Sequence, residues 1–274
     1  MKLETMGKDL LVRDAENFDP FVSCECGQCF RFEKISEAEY TLVACNRRVD
    51  VLKCDEGWLF KNMTEAEFSG SFCEYFDLDR DYGEIIKSFD FDETISKAAV
   101  AGSGIRIFRQ DPWETLISFI ISQNNNIPRI KKIINSLCEL LGEEKNGIYT
   151  FPTPERIMEA GLEGIAPIKS GFRAKYILDA AEKVVSGEIS IERIAKSGYE
   201  SALAELKLIK GVGDKVANCV LLFGFGYYEA FPIDVWVKRV MEEYYPDGLD
   251  VKSLGKYAGI AQQYLFNYKR NSTD

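Results

Sequence analysis

The chain has 274 residues, 46% hydrophobic and 28% charged, which fits a folded globular protein of two or three compact parts and excludes a disordered or low-complexity chain. Its net charge of −10 would argue against a nucleic-acid partner if evenly spread, but residues 1–100 carry 12 Lys+Arg against 22 Asp+Glu, and the remainder carries 22 of each sign. Local basic clusters at Arg129-Lys131-Lys132, Arg173-Lys175, Lys207-Lys210-Lys215 and Lys238-Arg239 therefore stay available to DNA, although each alone reads better as a solvated helix face.

Residues 1–20 lack the apolar core of a signal peptide, and no run is long enough to span a membrane, so no membrane partner is expected. The eight cysteines show no secreted framework, and a reducing interior is expected: the cytoplasm, or the nucleus if the source is eukaryotic. Cys24-Glu25-Cys26-Gly27-Gln28-Cys29 contains a C-x-x-C element. With no histidine in the chain and no second paired element, it does not predict zinc.

In chain order, strands are expected at Asp9–Val12, Cys29–Phe32, Tyr40–Ala44 and Val49–Leu52, with a turn at Asp55-Glu56-Gly57 into Trp58–Phe60. They form a twisted antiparallel sheet that needs a cover, which helical segments between Glu65 and Ala99 can supply. Ala101-Gly102-Ser103-Gly104 is the best boundary signal, separating a β-rich domain (1–100) from a helical one (101–274). Asp111-Pro112-Trp113-Glu114 is a helix start, opening an almost wholly apolar and so buried helix to Ser122. Gln123-Asn124-Asn125-Asn126 breaks it, and Pro128 starts a helix to about Leu141. A further helix covers about Arg173 to Val185, followed by two shorter ones, and the last runs from Val251 to Tyr268.

Leu206 to Cys219 predicts two helices joined by a hairpin, Gly211-Val212-Gly213, whose glycines allow positive φ and whose backbone N–H groups sit at a helix N-terminus, a seat for phosphate. Lys215 falls in the first turn of the second helix, where the dipole disfavours a cation. That position is poor for stability and suits a neutral, nucleophilic amine. Asp234, after Pro232, is the expected N-cap of a helix carrying Val237 and Val240.

Gly211-Val212-Gly213-x-Lys215 with Pro232-x-Asp234 resembles the helix-hairpin-helix DNA glycosylases, whose lysine-bearing members are glycosylase/lyases. Within them, Cys26-Gly27-Gln28-Cys29-Phe30-Arg31, Ser118 to Arg129, Gly171-Phe172-Arg173-Ala174-Lys175-Tyr176 and Gln262-Gln263-Tyr264-Leu265-Phe266 are similar to motifs of the 8-oxoguanine branch. The resemblance implies an α+β protein with an N-terminal antiparallel sheet domain and two helical subdomains, the C-terminal helix returning toward the sheet domain. It implies a monomer acting on duplex DNA that holds 8-oxoguanine, preferably opposite cytosine.

It also implies the site. Lys215 and Asp234 are the catalytic pair. Gly27, Cys219, Gln262 and Phe266 recognise the extruded base, the Gly27 carbonyl accepting the N7–H that guanine lacks. Asn124 and Phe172 wedge the duplex, and Arg129 and Arg173 read the stranded cytosine. Gly211, Gly213 and Trp236 bind phosphate, with Trp236 standing where the family often has histidine and Lys210 where it has proline. No cofactor is required, and no cysteine follows Cys219, so the iron–sulfur loop of some relatives is not expected. A structural monovalent cation is expected at the carbonyls of Lys207, Ile209 and Val212. The competing readings are a glycosylase for other oxidised bases or without opposite-base preference, and a non-catalytic DNA-binding module.

Overall fold

The computed structural model describes residues 1–272 and divides into two compact units, residues 1–109 with 233–274, and residues 110–232. This differs from a partition near residue 100. The C-terminal helical segment belongs to the unit that holds the sheet, packing on the helix Glu93–Ala101 and the turn Cys24–Gln28, while the middle of the chain forms its own body.

The first unit is built on β1 (Lys2–Met6), β2 (Asp9–Arg13), β3 (Phe32–Ser36), β4 (Glu39–Ala44), β5 (Arg47–Cys54) and β6 (Gly57–Phe60). They form one sheet in the order β1-β2-β6-β5-β4-β3, with every pair antiparallel. The turn after β5 is a two-residue hairpin, since Cys54 pairs with Gly57. Leu10, Val12, Tyr40, Leu42, Val49, Val51, Trp58 and Phe60 alternate onto one face and bury against Phe18, Phe21, Phe68, Phe72 and Phe76. Each such side chain contributes about 1.5–3 kcal/mol on burial. Phe21 stacks on Tyr40 at 3.9 Å, and Phe60 meets Phe68 edge-on at 4.9 Å.

Two expectations change here. β1 has no apolar stripe to announce it; its residues are mostly exposed, and pairing with β2 makes it a strand. Cys29 and Phe30 stay outside the strand and Arg31 adds only its carbonyl, which accepts from Val43 N–H at 2.8 Å, because the preceding residues fold into a helical turn, Pro20–Ser23, continued by a wider turn, Cys24–Gln28. Asp19 caps that start, its Oδ1 accepting from Phe21 and Val22 N–H at 2.9 and 3.1 Å.

The helices Val235–Tyr244 and Ala258–Asn271 complete the unit. The expected helix from Val251 is broken at Gly255 (φ +62), so residues 251–257 make a tighter helical turn before the C-terminal helix starts at Ala258. Tyr264 Oη donates to the Ile105 carbonyl at 3.3 Å, and Tyr245 Oη to Asp92 at 2.8 Å.

In the second unit the helix Pro112–Ser122 is central, with Leu116, Ile117, Ile120 and Ile121 fully buried. Against it pack Ile127–Leu141, Ala174–Val185 and Asp214–Phe225, and Pro154–Ile165 packs in turn on Ala174–Val185. Its start follows the cap signal, Asp111 accepting from Glu114 N–H at 2.8 Å. The same signal at Thr153-Pro154-Glu155 starts a helix that the sequence reading missed. Among the described residues no helix is long and apolar enough to cross a membrane.

Candidate active site

The hairpin sits at residues 207–213, between the helices Tyr199–Leu206 and Asp214–Phe225. Gly211 has φ +79, and a Cβ there would lie 2.3 Å from the Tyr176 ring, so only glycine fits. Gly213 differs from the expectation of positive φ. It is extended at φ −99, and a Cβ would meet nothing within 4 Å. Space rather than backbone geometry distinguishes that position.

Asp179, which the sequence reading passed over, fixes this turn. Its buried carboxylate accepts from the Lys210 backbone N–H at 2.8 Å and pairs with the Lys210 ammonium at 3.0 Å. Burial opposes its ionisation, yet the Lys210 N–H and ammonium, with Lys183 beside them, hold the carboxyl below its ordinary value. Lys183 also donates to the Leu208 carbonyl at 2.5 Å. This accounts for a lysine where the related motif has proline: proline has no N–H to give Asp179. Asp179→Ala is expected to cost about 2 kcal/mol in a denaturant titration, because it leaves the part-buried Lys210 N–H without its acceptor and removes the carboxylate between Lys183 and Lys210. Loss below about 0.5 kcal/mol would refute the latch.

Lys215 stands half-buried in the first turn of its helix, its ammonium 5.1 Å above the Phe119 ring, which stacks on Phe223. One turn on, Asn218 accepts through Oδ1 from Tyr199 Oη at 2.7 Å and Phe231 N–H at 3.2 Å, and donates to the Asp214 carbonyl at 2.8 Å. It thereby ties the Lys215 helix to the loop that ends in Pro232. Cys219 is buried on the same helix.

The residues that the resemblance assigns to wedging and to reading cytosine come together. Asn124 is exposed with a left-handed backbone (φ +47). The carbonyls of Gln123 and Asn124 both accept from the Arg173 guanidinium, whose Nε donates to Gln123 at 2.8 Å and whose Nη2 donates to Asn124 at 2.9 Å. Burial holds Arg173 below its ordinary value, and the nearby Arg129 charge adds to that. Phe172 is exposed, with the Arg173 guanidinium 4.5 Å over its ring and Tyr176 edge-on at 5.9 Å. Arg173 thus braces the Asn124 turn, while Arg129 is exposed.

In the first unit Gly27 has φ +82, and a Cβ there would lie 3.3 Å from the Phe266 ring. The ring rests on that turn because there is no side chain. Gln262, one helical turn earlier, is 3% exposed, and its Oε1 has no hydrogen-bond partner among the described residues. Burial pushes the Cys26 thiol up to about 12, so it stays protonated and donates to the Ser23 carbonyl at 3.1 Å. Asp234 caps its helix as expected, its Oδ1 accepting from Trp236 and Val237 N–H at 2.9 Å each. The Trp236 ring is covered by the Arg239 guanidinium at 4.8 Å.

No group of three or more cysteine or carboxylate side chains among the described residues could hold a metal, and no disulfide joins the eight cysteines.

Two family models match the chain: the N-terminal domain of 8-oxoguanine DNA glycosylase over residues 10–116, and the HhH-GPD superfamily base excision DNA repair protein over residues 117–250. Among solved structures, the Clostridium acetobutylicum 8-oxoguanine glycosylase/lyase in complex with double-stranded DNA containing cytosine opposite 8-oxoguanine is 40% identical. The match covers 99% of this chain and 98% of that one, with a TM-score of 0.91. A probable N-glycosylase/DNA lyase of Methanothermobacter thermautotrophicus is 33% identical over 230 residues, 72% of this chain and 73% of that protein. The N-glycosylase/DNA lyase of Saccharomyces cerevisiae is 36% identical over 188 residues, 63% of this chain, and the match spans half the length of the yeast protein. With the lysine-bearing hairpin, the sheet and the C-terminal helix all matched, the chain belongs to the 8-oxoguanine DNA glycosylase/lyase family of the helix-hairpin-helix superfamily.

Proposed function

We propose that this protein excises 8-oxoguanine from duplex DNA, preferably opposite cytosine, and cleaves the abasic site it creates. The observation that carries the reading is Gln262. A buried amide oxygen without a donor costs about 1–3 kcal/mol, and native proteins rarely leave one unmet. The Watson–Crick edge of a guanine-type base offers N1–H and N2–H donors to such an acceptor. The Phe266 face and the Gly27 carbonyl lie in the same unit. Phe266 offers a π-face and Cys219 a soft sulfur to the extruded base, and the Gly27 carbonyl accepts from N7–H of 8-oxoguanine. Guanine would set its N7 lone pair against that carbonyl, which supplies the selectivity.

The Lys215 amine attacks C1′. The C1′–N9 bond breaks with its electron pair leaving on the base, and the Asp234 carboxylate stabilises the cationic sugar. Ring opening gives a Schiff base between Lys215 and C1′. The imine acidifies C2′–H, and its loss expels the 3′ phosphate by β-elimination. Gly211 and Gly213 seat a backbone phosphate, the open space at Gly213 admitting it, and Trp236 offers an indole N–H to another. Asn124 fills the gap in the duplex, Phe172 wedges beside it, and Arg129 and Arg173 read the cytosine. For Arg173 this means exchanging carbonyl partners for the base.

No organic cofactor or iron–sulfur cluster is needed for this sequence of steps. The carbonyls of Lys207, Ile209 and Val212 suit a structural monovalent cation, since the Ile209 oxygen, which accepts from Val212 N–H at 3.1 Å, keeps a second lone pair. The protein acts as a monomer wherever its DNA lies, in the cytoplasm or in a nucleus.

Borohydride trapping on a duplex with one 8-oxoguanine opposite cytosine is expected to give a covalent protein–DNA adduct. No adduct from the unaltered protein would favour a non-catalytic binding module. Excision measured opposite each of the four bases is expected to be fastest opposite cytosine, and equal rates would overturn the roles of Arg129 and Arg173.

A further inference from the structure

The turn that carries Gly27 is held from both sides by buried glutamine side chains. Gln28, fully buried, donates through Nε2 to the Ser23 carbonyl at 2.9 Å and the Arg106 carbonyl at 2.8 Å, and accepts through Oε1 from Phe108 N–H at 2.7 Å. Gln263, 3% exposed on the C-terminal helix, donates through Nε2 to the Cys26 carbonyl at 2.6 Å. The Cys26 carbonyl and the Gly27 N–H belong to one planar peptide unit. Fixing that carbonyl fixes the plane from which Gly27 departs at φ +82 and ψ 14. Glycine alone has little resistance to rotation at such angles, so the direction of its own carbonyl depends on what holds its flanks.

We infer that Gln263 is a specificity-determining positioning residue, setting the direction of the Gly27 carbonyl through its hydrogen bond to the Cys26 carbonyl. The inference rests on the reading of Gly27 as the acceptor for N7–H. Gln263 touches no reacting atom. It acts through the peptide it grips, and its helix also carries Gln262 and Phe266, so one rigid element registers the ring, the amide and the glycine turn together.

The test uses full-length protein carrying Gln263→Met, which keeps the volume and removes the donor, and Gln263→Asn, which keeps the amide and shortens its reach. Single-turnover excision of 8-oxoguanine opposite cytosine is read beside cleavage of a preformed abasic site, which needs DNA binding and Lys215 but no base reading. Both variants are expected to lose about tenfold in excision and to narrow the preference for 8-oxoguanine over guanine in duplex binding. Abasic-site cleavage should stay within about twofold, with an unchanged melting temperature. Equal loss in both reactions would assign Gln263 to general stability and overturn the inference, as would excision and preference both unaltered in either folded variant. An unaltered protein that cleaves abasic DNA yet leaves 8-oxoguanine in place would instead remove the underlying reading of Gly27.

Discussion

Lys215→Gln is expected to abolish the borohydride-trapped adduct and to lower strand cleavage at 8-oxoguanine by about a thousandfold or more. The amide of glutamine is no nucleophile toward C1′ and cannot form an imine, so both reactions fail together. Folding should survive. Lys215 is half-buried above Phe119, and that contact is worth no more than about 1 kcal/mol. Affinity for a duplex containing 8-oxoguanine should change only a few-fold, since the proposed base and wedge contacts come from other residues. Residual trapping in the variant would move the covalent step to a different amine.

The second large effect is Gly211→Ala. Its Cβ would stand 2.3, 2.5 and 2.6 Å from three atoms of the Tyr176 ring, in a backbone region (φ +79) that alanine disfavours. Turning the ring about its own axis does not relieve the clash, because the crowded atoms include Cγ, which lies on that axis. Strain and overpacking together predict a loss of about 3 kcal/mol in stability, measured by denaturant titration, with weakened DNA binding. Gly213→Ala is the counterpart. Its backbone is extended and its surroundings open, so stability should change by no more than about 1 kcal/mol. If a phosphate occupies that space, affinity for duplex DNA should still fall about tenfold. A Gly213→Ala protein with full affinity would take the phosphate away from the hairpin.

Local signals carried far in this protein. The caps at Asp111 and Asp234 were readable because a short acceptor side chain before a helix has one dominant use, and both carboxylates do accept the expected N–H groups. The strands β4, β5 and β6 were readable because one face is buried, which imposes period-two alternation, and β2 was readable from its short apolar run Leu10-Leu11-Val12, buried throughout. Where a segment has no buried face to imprint a pattern, as in β1, pairing decides and the sequence is silent. The helix Pro154–Ile165 was legible from its Thr-Pro-Glu start and was overlooked.

The amino-acid sequence by itself carried the motifs whose resemblance to the family named the class of protein and the candidate site residues, and it carried the lysine-bearing hairpin in side-chain types at short spacing. Only the tertiary structure decided how those residues are held. Asp179 grips Lys210, Gln263 grips the Cys26 carbonyl, Arg173 braces the Asn124 turn, and Gln262 keeps a buried oxygen without a donor among the described residues. These partners lie 31, 237 and 49 residues apart where they pair. No local periodicity encodes such contacts, because a hydrogen bond between distant segments is chosen by how the helices and turns pack, and only there does the loss of water make the choice matter.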